Sequence, residues 1–335
     1  MIEKQKKVNK LIEQSNKIPN DIKEIVKAIC RGYIRESNGK IPISGIENVC
    51  KTNFNKIDEN NKEFSGEEQI FATTTTDYDD ECNVIHTVSY LNSNNYIKLI
   101  AILTHELGHV ITEPKPCEIK TTDEGIEYYP LVKRTNTYYQ TCYYRNGELI
   151  AHGINGFRIA DGFLESICSK IWSSKEFREE LLQNGYNLQN FIYKDERIFS
   201  SRVYDEYKAC FELFDYIMDG DLFDFACQTF SSNQDMVDFI NNKKINIIYS
   251  VLDKSNDALW NLKKFEDKEP TDEFLTALDD YNNKKQTSIA FADELMDFLG
   301  KSCDDKKYLE LIDIYNATLQ KQKLLPLPEN SQRRL

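Results

Sequence analysis

Two histidines and a glutamate interrupt an apolar stretch of the chain, LIAILTHELGHVIT at residues 99–112. His105 and His109 are four residues apart, so on a helix both imidazoles share one face and can hold one ion. Neutral imidazole is a good ligand for Zn²⁺. Glu106 is turned about 100° around the axis from His105, where its carboxylate can approach a water on that ion. The spacing predicts a hydrolytic metal site, with the metal activating the water and Glu106 taking its proton.

The alternative interpretation of this stretch is a core helix with stray polar residues. Burial makes that arrangement costly, because polar groups without partners lose several kcal/mol of solvation, whereas one metal would satisfy both histidines. Gly108 favours a functional helix, since a mid-helix glycine costs about 1 kcal/mol relative to alanine. A close approach by another backbone would explain it. The apolar residues that would bury the helix are Leu99, Ile100, Ile102, Leu103, Leu107, Val110 and Ile111.

A pair of acidic residues provides candidates for the third ligand. Asp161 and Glu165 lie one helical turn apart in GINGFRIADGFLESICSKIW, a segment with few other charges. Two like charges at this spacing weaken a helix by a few tenths of a kcal/mol, and burial increases the penalty. A bound cation would reverse the sign of that interaction. An exposed acidic face unrelated to metal is the other interpretation.

The motif THELGH in an apolar helix, preceded by strand-like segments, resembles the zincin superfamily of metallopeptidases. The resemblance implies that His105 and His109 hold zinc and that Glu106 is the general base. It also implies a substrate antiparallel to an edge strand just upstream, for which NVIHTVSYL is the expected segment. The metzincin branch needs a glycine and a third histidine where this chain has Thr112 and Lys115, so a later carboxylate is expected instead.

The acidic segment resembles the gluzincin pattern Asn-Glu-x-x-x-Asp/Glu, and more closely a Glu-Gly-Phe-x-Glu form in uncharacterised zincin-like proteins of Firmicutes. The resemblance covers roughly residues 80 to 240. It implies that Asp161 binds zinc and that Glu165 hydrogen-bonds a zinc-bound histidine. This chain departs from the pattern, with Asp161 in place of glutamate and Ala160 in place of asparagine. Because aspartate is shorter, either the helix lies closer to the metal, as we expect, or Glu165 is the ligand and Asp161 supports it.

Zincin-type peptidases usually place a further side chain to stabilise the oxyanion of the transition state. His152 lies in sequence near the acidic segment and is the first candidate for this role. A hydrogen-bonded structural histidine is the alternative interpretation of His152.

The elements that must position these residues predict an α+β, zincin-like fold. A small mixed sheet and the active-site helix come first, and a mostly helical half follows. Residues 53–68 read as a polar loop, Ser93 or Asn94 is the expected N-cap of the active-site helix, and YRNGEL resembles a hairpin turn. Helices are expected from about Ile159 to Gln320. We divide the chain into an N-terminal helical region and linker at 1–60, the sheet and histidine helix at 61–115, the hairpin and ligand-bearing helical half at 116–240, and C-terminal helices with a loose tail at 241–335.

Composition excludes several classes of protein. The net charge of −13 and the absence of a basic stripe argue against nucleic-acid binding. No apolar run has the length of a signal peptide or a membrane span, and the nine cysteines are scattered without a Cys-x-x-Cys pair. We therefore expect a cytoplasmic protein without a membrane partner. P-loop, Gly-x-Gly-x-x-Gly and Gly-x-Ser-x-Gly motifs are missing from the sequence as well.

These observations predict a zinc-dependent metallopeptidase that acts on a peptide or protein substrate through a metal-activated water. One alternative is a regulatory protein similar to phage-immunity-type peptidases, which pair HELGH with a repressor or signalling partner, although no helix-turn-helix segment is evident. A second alternative is a non-catalytic zincin-fold binding protein with a structural zinc. The sequence does not indicate substrate specificity or oligomeric state.

Overall fold

The structure is a computed structural model of the full chain. Side chains are described for most of the helices and for the first three strands, and for the later strands the description covers the backbone. The residues that the structure describes are 2–57, 72–78, 84–91, 95–112, 120–121, 126–129, 139–145, 148–155, 157–194, 205–227, 276, 292–293, 296–297 and 299–324.

Three helices begin the chain: α1 (Ile2–Gln14), α2 (Lys23–Glu36) and α3 (Ile43–Lys51). Nine of the fourteen residues of helix α2 are buried. Its Lys27 pairs with Glu13 of α1 at 3.1 Å, which joins the two helices through a largely buried ammonium group. The helical prediction for the first 36 residues is therefore confirmed as two helices, with a break between them.

A three-stranded sheet follows, formed by β1 (Asn53–Ile57), β2 (Ala72–Tyr78) and β3 (Val84–Leu91). The strand order is β1-β3-β2, with β1 parallel and β2 antiparallel to β3. The prediction that NVIHTVSYL is an edge strand is therefore wrong, because β3 pairs on both sides. Among the described strands of this sheet, β2 and β1 are the edges. The prediction of a loop from residue 53 is also wrong over β1.

Helix α4 (Tyr96–Ile111) carries the histidine motif. Asn95 is its N-cap, because its side chain accepts hydrogen bonds from the backbone N–H groups of Ile97 and Lys98. The predicted N-cap at Ser93 or Asn94 was thus one or two residues too early. Helix α4 packs against α2, α3, β2 and β3, which explains why eleven of its residues are buried.

A second sheet has the strand order β4-β5-β6-β7. Its strands β6 and β7 are neighbours in the sheet and lie on either side of the hairpin turn predicted in YRNGEL, whose residues 146–147 lie outside the described residues. The strands are β4 (Lys120–Thr121), β5 (Ile126–Tyr129), β6 (Tyr139–Arg145) and β7 (Glu148–Asn155).

The later part of the chain is helical where the structure describes it, so the two sheets and their helices form a mixed α+β architecture. Helix α5 begins at Phe157, close to the predicted start at Ile159, and contains both acidic candidates. The helices are α5 (Phe157–Ser173), α6 (Lys175–Gln183), α7 (Asp205–Ile217), α8 (Asp221–Cys227) and α9 (Lys306–Leu324). Among the described residues, none of the helices is both long and apolar enough to cross a bilayer.

The chain divides into two compact units, and α5 contributes residues to both. In the first unit α4 packs against α2, α3 and strands β2 and β3, while α1 packs on α2 and α3. In the second unit α9 packs on α7. The four-segment division made from the sequence stays a prediction. The first unit contains residues 1–153, 164–203 and 224–231, and the second contains residues 154–163, 204–223 and 232–335.

Candidate metal centre

The two motif histidines face each other on α4. The Nε2 atoms of His105 and His109 are 3.2 Å apart, and the ring planes meet edge to face at 79°. A tetrahedral zinc site with Zn–N bonds of about 2.0–2.1 Å separates two nitrogen ligands by about 3.3 Å. The observed separation fits two ligands of one ion, as the four-residue spacing predicted.

Asp161 of α5 completes a group of three ligand residues. One ligand atom each from His105, His109 and Asp161 lies within 4.8 Å of the other two. The side chains of His105 and Asp161 are buried, with 6% and 4% of their surface exposed, and His109 is partly exposed. These three side chains could hold a metal ion, and His109 is the one that solvent partly reaches.

Glu165 lies against the other nitrogen of His105. Its Oε1 is 2.9 Å from His105 Nδ1, and only 2% of Glu165 is exposed. Burial acts to lower the pKa of His105, but the hydrogen bond and the negative charge of Glu165 outweigh burial and raise it. A carboxylate at Nδ1 favours the tautomer with the proton on Nδ1, which leaves the Nε2 lone pair available to a metal.

Lys194 holds the same oxygen of Glu165 from another direction. Its Nζ is 2.5 Å from Glu165 Oε1, and its backbone has a positive φ of 51°, which is uncommon for a residue with a side chain. Burial acts to raise the pKa of Glu165, but the charge of Lys194 and the bond to His105 lower it overall. Glu165 is therefore an anion with two partners. Sequence reasoning missed Lys194, because it follows a loop 29 residues further along the chain and has no local motif.

Gly108 lies in a close approach between helices, but side chains make it, so the prediction of a neighbouring backbone is wrong. A Cβ atom at Gly108 would lie 2.2 Å from Tyr33 Oη and 2.8 Å from a methyl group of Leu164. Tyr33 Oη donates a hydrogen bond of 2.8 Å to the carbonyl oxygen of Thr104, one turn before Gly108. Gly108 therefore lets α2 and α5 contact α4 beside the histidines.

Gly162 makes a second close approach, next to Asp161. A Cβ atom at Gly162 would lie 2.2 Å from the carbonyl oxygen of Tyr207 and 2.7 Å from Cβ of Phe211, both on α7. Because Tyr207 presents backbone here, a larger residue cannot be accommodated by a rotamer change. The contact between α5 and α7 therefore depends on glycine at this position.

Glu106 has a partner on strand β2. Thr74 Oγ1 lies 2.7 Å from Glu106 Oε2 and 3.1 Å from the Glu106 carbonyl oxygen. Glu106 is partly exposed, as a group that exchanges protons with water must be. Sequence reasoning missed Thr74 as well, since it lies in a run of four threonines whose faces the sequence does not distinguish.

His152 lies in strand β7, and its side chain falls outside the part of the chain that the structure describes. Its proposed role as the oxyanion-stabilising residue stays a prediction. Comparisons of this chain with protein-family models, curated proteins and solved structures found no match.

Proposed function

We propose that this protein is a zinc-dependent metallopeptidase with a zincin-like arrangement of helix and sheet. The observation that carries the proposal is the convergence of His105, His109 and Asp161, with ligand atoms within 4.8 Å of one another, beside Glu106. Two imidazoles and one carboxylate form a donor set that suits Zn²⁺ and leaves a fourth position open.

The charges of the site favour a divalent ion. In their ionised forms Asp161, Glu106 and Glu165 carry three negative charges, and Lys194 carries one positive charge. A divalent cation bound between the neutral histidines would make this group of charges neutral. Only 4% of Asp161 is exposed, and a cation beside it would lower the cost of holding a carboxylate charge in a low-dielectric interior.

The residues have separate roles in the proposed reaction. A bound zinc ion would supply Lewis-acid chemistry, polarising the scissile carbonyl and lowering the pKa of water. Glu106 acts as general base, takes a proton from the attacking water and delivers it to the leaving amine. Glu165, held by Lys194, keeps the ring of His105 in its metal-binding tautomer.

The sheet suggests where a substrate would lie. The zincin resemblance implies an extended peptide antiparallel to an edge strand near the histidine helix. Strand β3 is interior, whereas β2 is at the edge among the described strands and contacts Glu106 through Thr74. We therefore propose β2 as the strand that pairs with a peptide or protein substrate. A cytoplasmic location stays an expectation from the sequence.

The test compares Glu106→Gln with wild type in zinc content and in cleavage of a broad peptide library. We expect both proteins to hold about one zinc per chain and only wild type to cleave. Glu179→Gln, a change at an exposed residue of α6, is the matched control and should cleave normally.

Two results would move the proposal to its alternatives. Zinc at full occupancy without cleavage of any peptide by wild type would favour the non-catalytic binding protein. Cleavage confined to one co-purifying transcription factor would favour the regulatory peptidase. Cleavage by Glu106→Gln at the wild-type rate would remove Glu106 as the base.

A further inference from the structure

The hydroxyl group of Thr74 joins the edge strand β2 to the carboxylate of Glu106. Its Oγ1 is 2.7 Å from Glu106 Oε2 and 3.1 Å from the Glu106 carbonyl oxygen. A threonine hydroxyl has one proton to donate, and a carboxylate is a stronger acceptor than an amide carbonyl. The distance to the carboxylate is also the shorter of the two, so the hydroxyl of Thr74 donates its proton to Oε2 of Glu106.

The position of this hydroxyl is fixed by the sheet. Thr74 is opposite Val88 in the antiparallel register of β2 and β3, and Val88 is fully buried. A β-branched residue in a strand has a restricted χ1, so the hydroxyl has little freedom once the strand is paired. The glutamate side chain, by contrast, has several rotatable bonds and loses rotamer entropy when it is held in one place.

A general base must hold its carboxylate within hydrogen-bonding reach of the proton that it removes. The bond from Thr74 occupies Oε2 of Glu106, which leaves Oε1 for a water molecule. We propose that Thr74 is a positioning residue, whose hydroxyl fixes the Glu106 carboxylate for proton transfer. This inference rests on the proposed function, in which Glu106 is the base. It makes β2 responsible for orienting the base as well as for pairing with substrate.

The neighbouring residue provides a matched control. Thr75 is on the same strand and is exposed, and successive side chains of a strand point to opposite faces. Thr74→Val and Thr75→Val therefore make the same chemical change, one toward Glu106 and one away from it. Valine keeps the shape and the strand propensity of threonine, and Thr74→Ser keeps the hydroxyl.

Kinetics with a peptide that wild type cleaves form the first test. A well-placed general base contributes about 10²–10⁴-fold, so loss of its positioning alone should lower kcat about tenfold in Thr74→Val. KM and zinc affinity should change less than about twofold, because no ligand is altered. Thr74→Ser should restore kcat because it keeps the hydroxyl, and Thr75→Val, whose side chain points away from Glu106, should not show the tenfold loss of kcat. A fall in zinc affinity that parallels the fall in kcat would overturn the inference, because it indicates a merely structural role.

The visible absorption of bound Co²⁺ gives a second test that needs no turnover. Glu106→Gln should shift the cobalt bands by altering the hydrogen bonds around the ion. Thr74→Val should shift them in the same direction, and the double variant should show no shift beyond that of Glu106→Gln. If both proteins bind Co²⁺ and the spectrum of Thr74→Val is identical to that of wild type, the role of Thr74 is overturned. The proposed function is unaffected by that result. A wild-type protein that binds neither Zn²⁺ nor Co²⁺ would overturn the proposed function, and this inference with it.

Discussion

Exchanging the two carboxylates of α5 for their amides, one at a time, distinguishes the metal ligand from the residue that supports it. A carboxylate oxygen of Asp161 lies within 4.8 Å of a ligand atom of each histidine. Glu165 instead lies 2.9 Å from Nδ1 of His105, whereas Nε2 is the nitrogen that faces His109. Both changes keep the size and shape of the side chain. They therefore remove charge without opening a cavity.

The expected magnitudes differ. Zinc held by four groups has an apparent binding free energy of about 10–16 kcal/mol, so one ligand is worth about 3 kcal/mol, and Asp161→Asn should weaken zinc affinity roughly a hundredfold. Loss of a residue that orients a ligand costs about 10–100-fold. The loss of zinc affinity in Glu165→Gln should lie at the lower end of this range, about tenfold. The amide oxygen of glutamine can still accept a hydrogen bond from Nδ1 of His105.

Competition with a chromophoric chelator measures both affinities. Asp21→Asn removes an exposed aspartate that pairs with Lys56 and should leave zinc affinity unchanged. If Glu165→Gln weakens zinc binding more than Asp161→Asn, Glu165 is the ligand and the geometric assignment is wrong. Equal affinity in all four proteins would mean that neither carboxylate contacts the ion.

Two further predictions concern the helices that carry the candidate ligands. Gly162→Ala places a Cβ atom 2.2 Å from the Tyr207 carbonyl oxygen, so α5 must shift, and we expect stability to fall by about 1–3 kcal/mol in denaturant unfolding, with weaker zinc binding in the same chelator assay. Unchanged stability would show that α7 can move away from the added Cβ atom without loss of free energy. Asn95→Ala removes the side-chain acceptor for the N–H groups of Ile97 and Lys98 and should lower stability by about 1 kcal/mol, whereas Asn95→Ser should retain most of it. If the alanine and serine variants unfold alike, the cap contributes nothing measurable.

The histidine helix could be predicted because its signals are local. The apolar pattern, the four-residue spacing and a capping asparagine all lie within one segment, and the error of one or two residues at its start arose because three consecutive residues can cap a helix. Asp161 and Glu165 were found for the same reason, since their one-turn spacing is visible in the sequence. Their different positions around His105 depend on how α5 approaches α4.

Strand pairing could not be read from the sequence, because partners are distant along the chain. Strand β1 has the sequence NFNKI, whose asparagines and lysine disfavour a strand, and it forms because it pairs in parallel with β3. Its presence moves β3 to the interior of the sheet. Thr74 and Lys194 were missed on similar grounds, since each contacts the site across about 30 residues of chain without any motif of its own.

Helix α5 carries Asp161 and Glu165 with a rise of about 6 Å between them, so the two carboxylates are rigidly linked. The proposed metal ligand and the carboxylate that contacts Nδ1 of His105 consequently reach their positions together when this helix forms. We therefore expect the ion to bind only when α5 is formed. Asp161 and Glu165 should not join the site one after the other. Inserting a single residue between the two would swing one of them about 100° around the axis, and both contributions could not be satisfied at once.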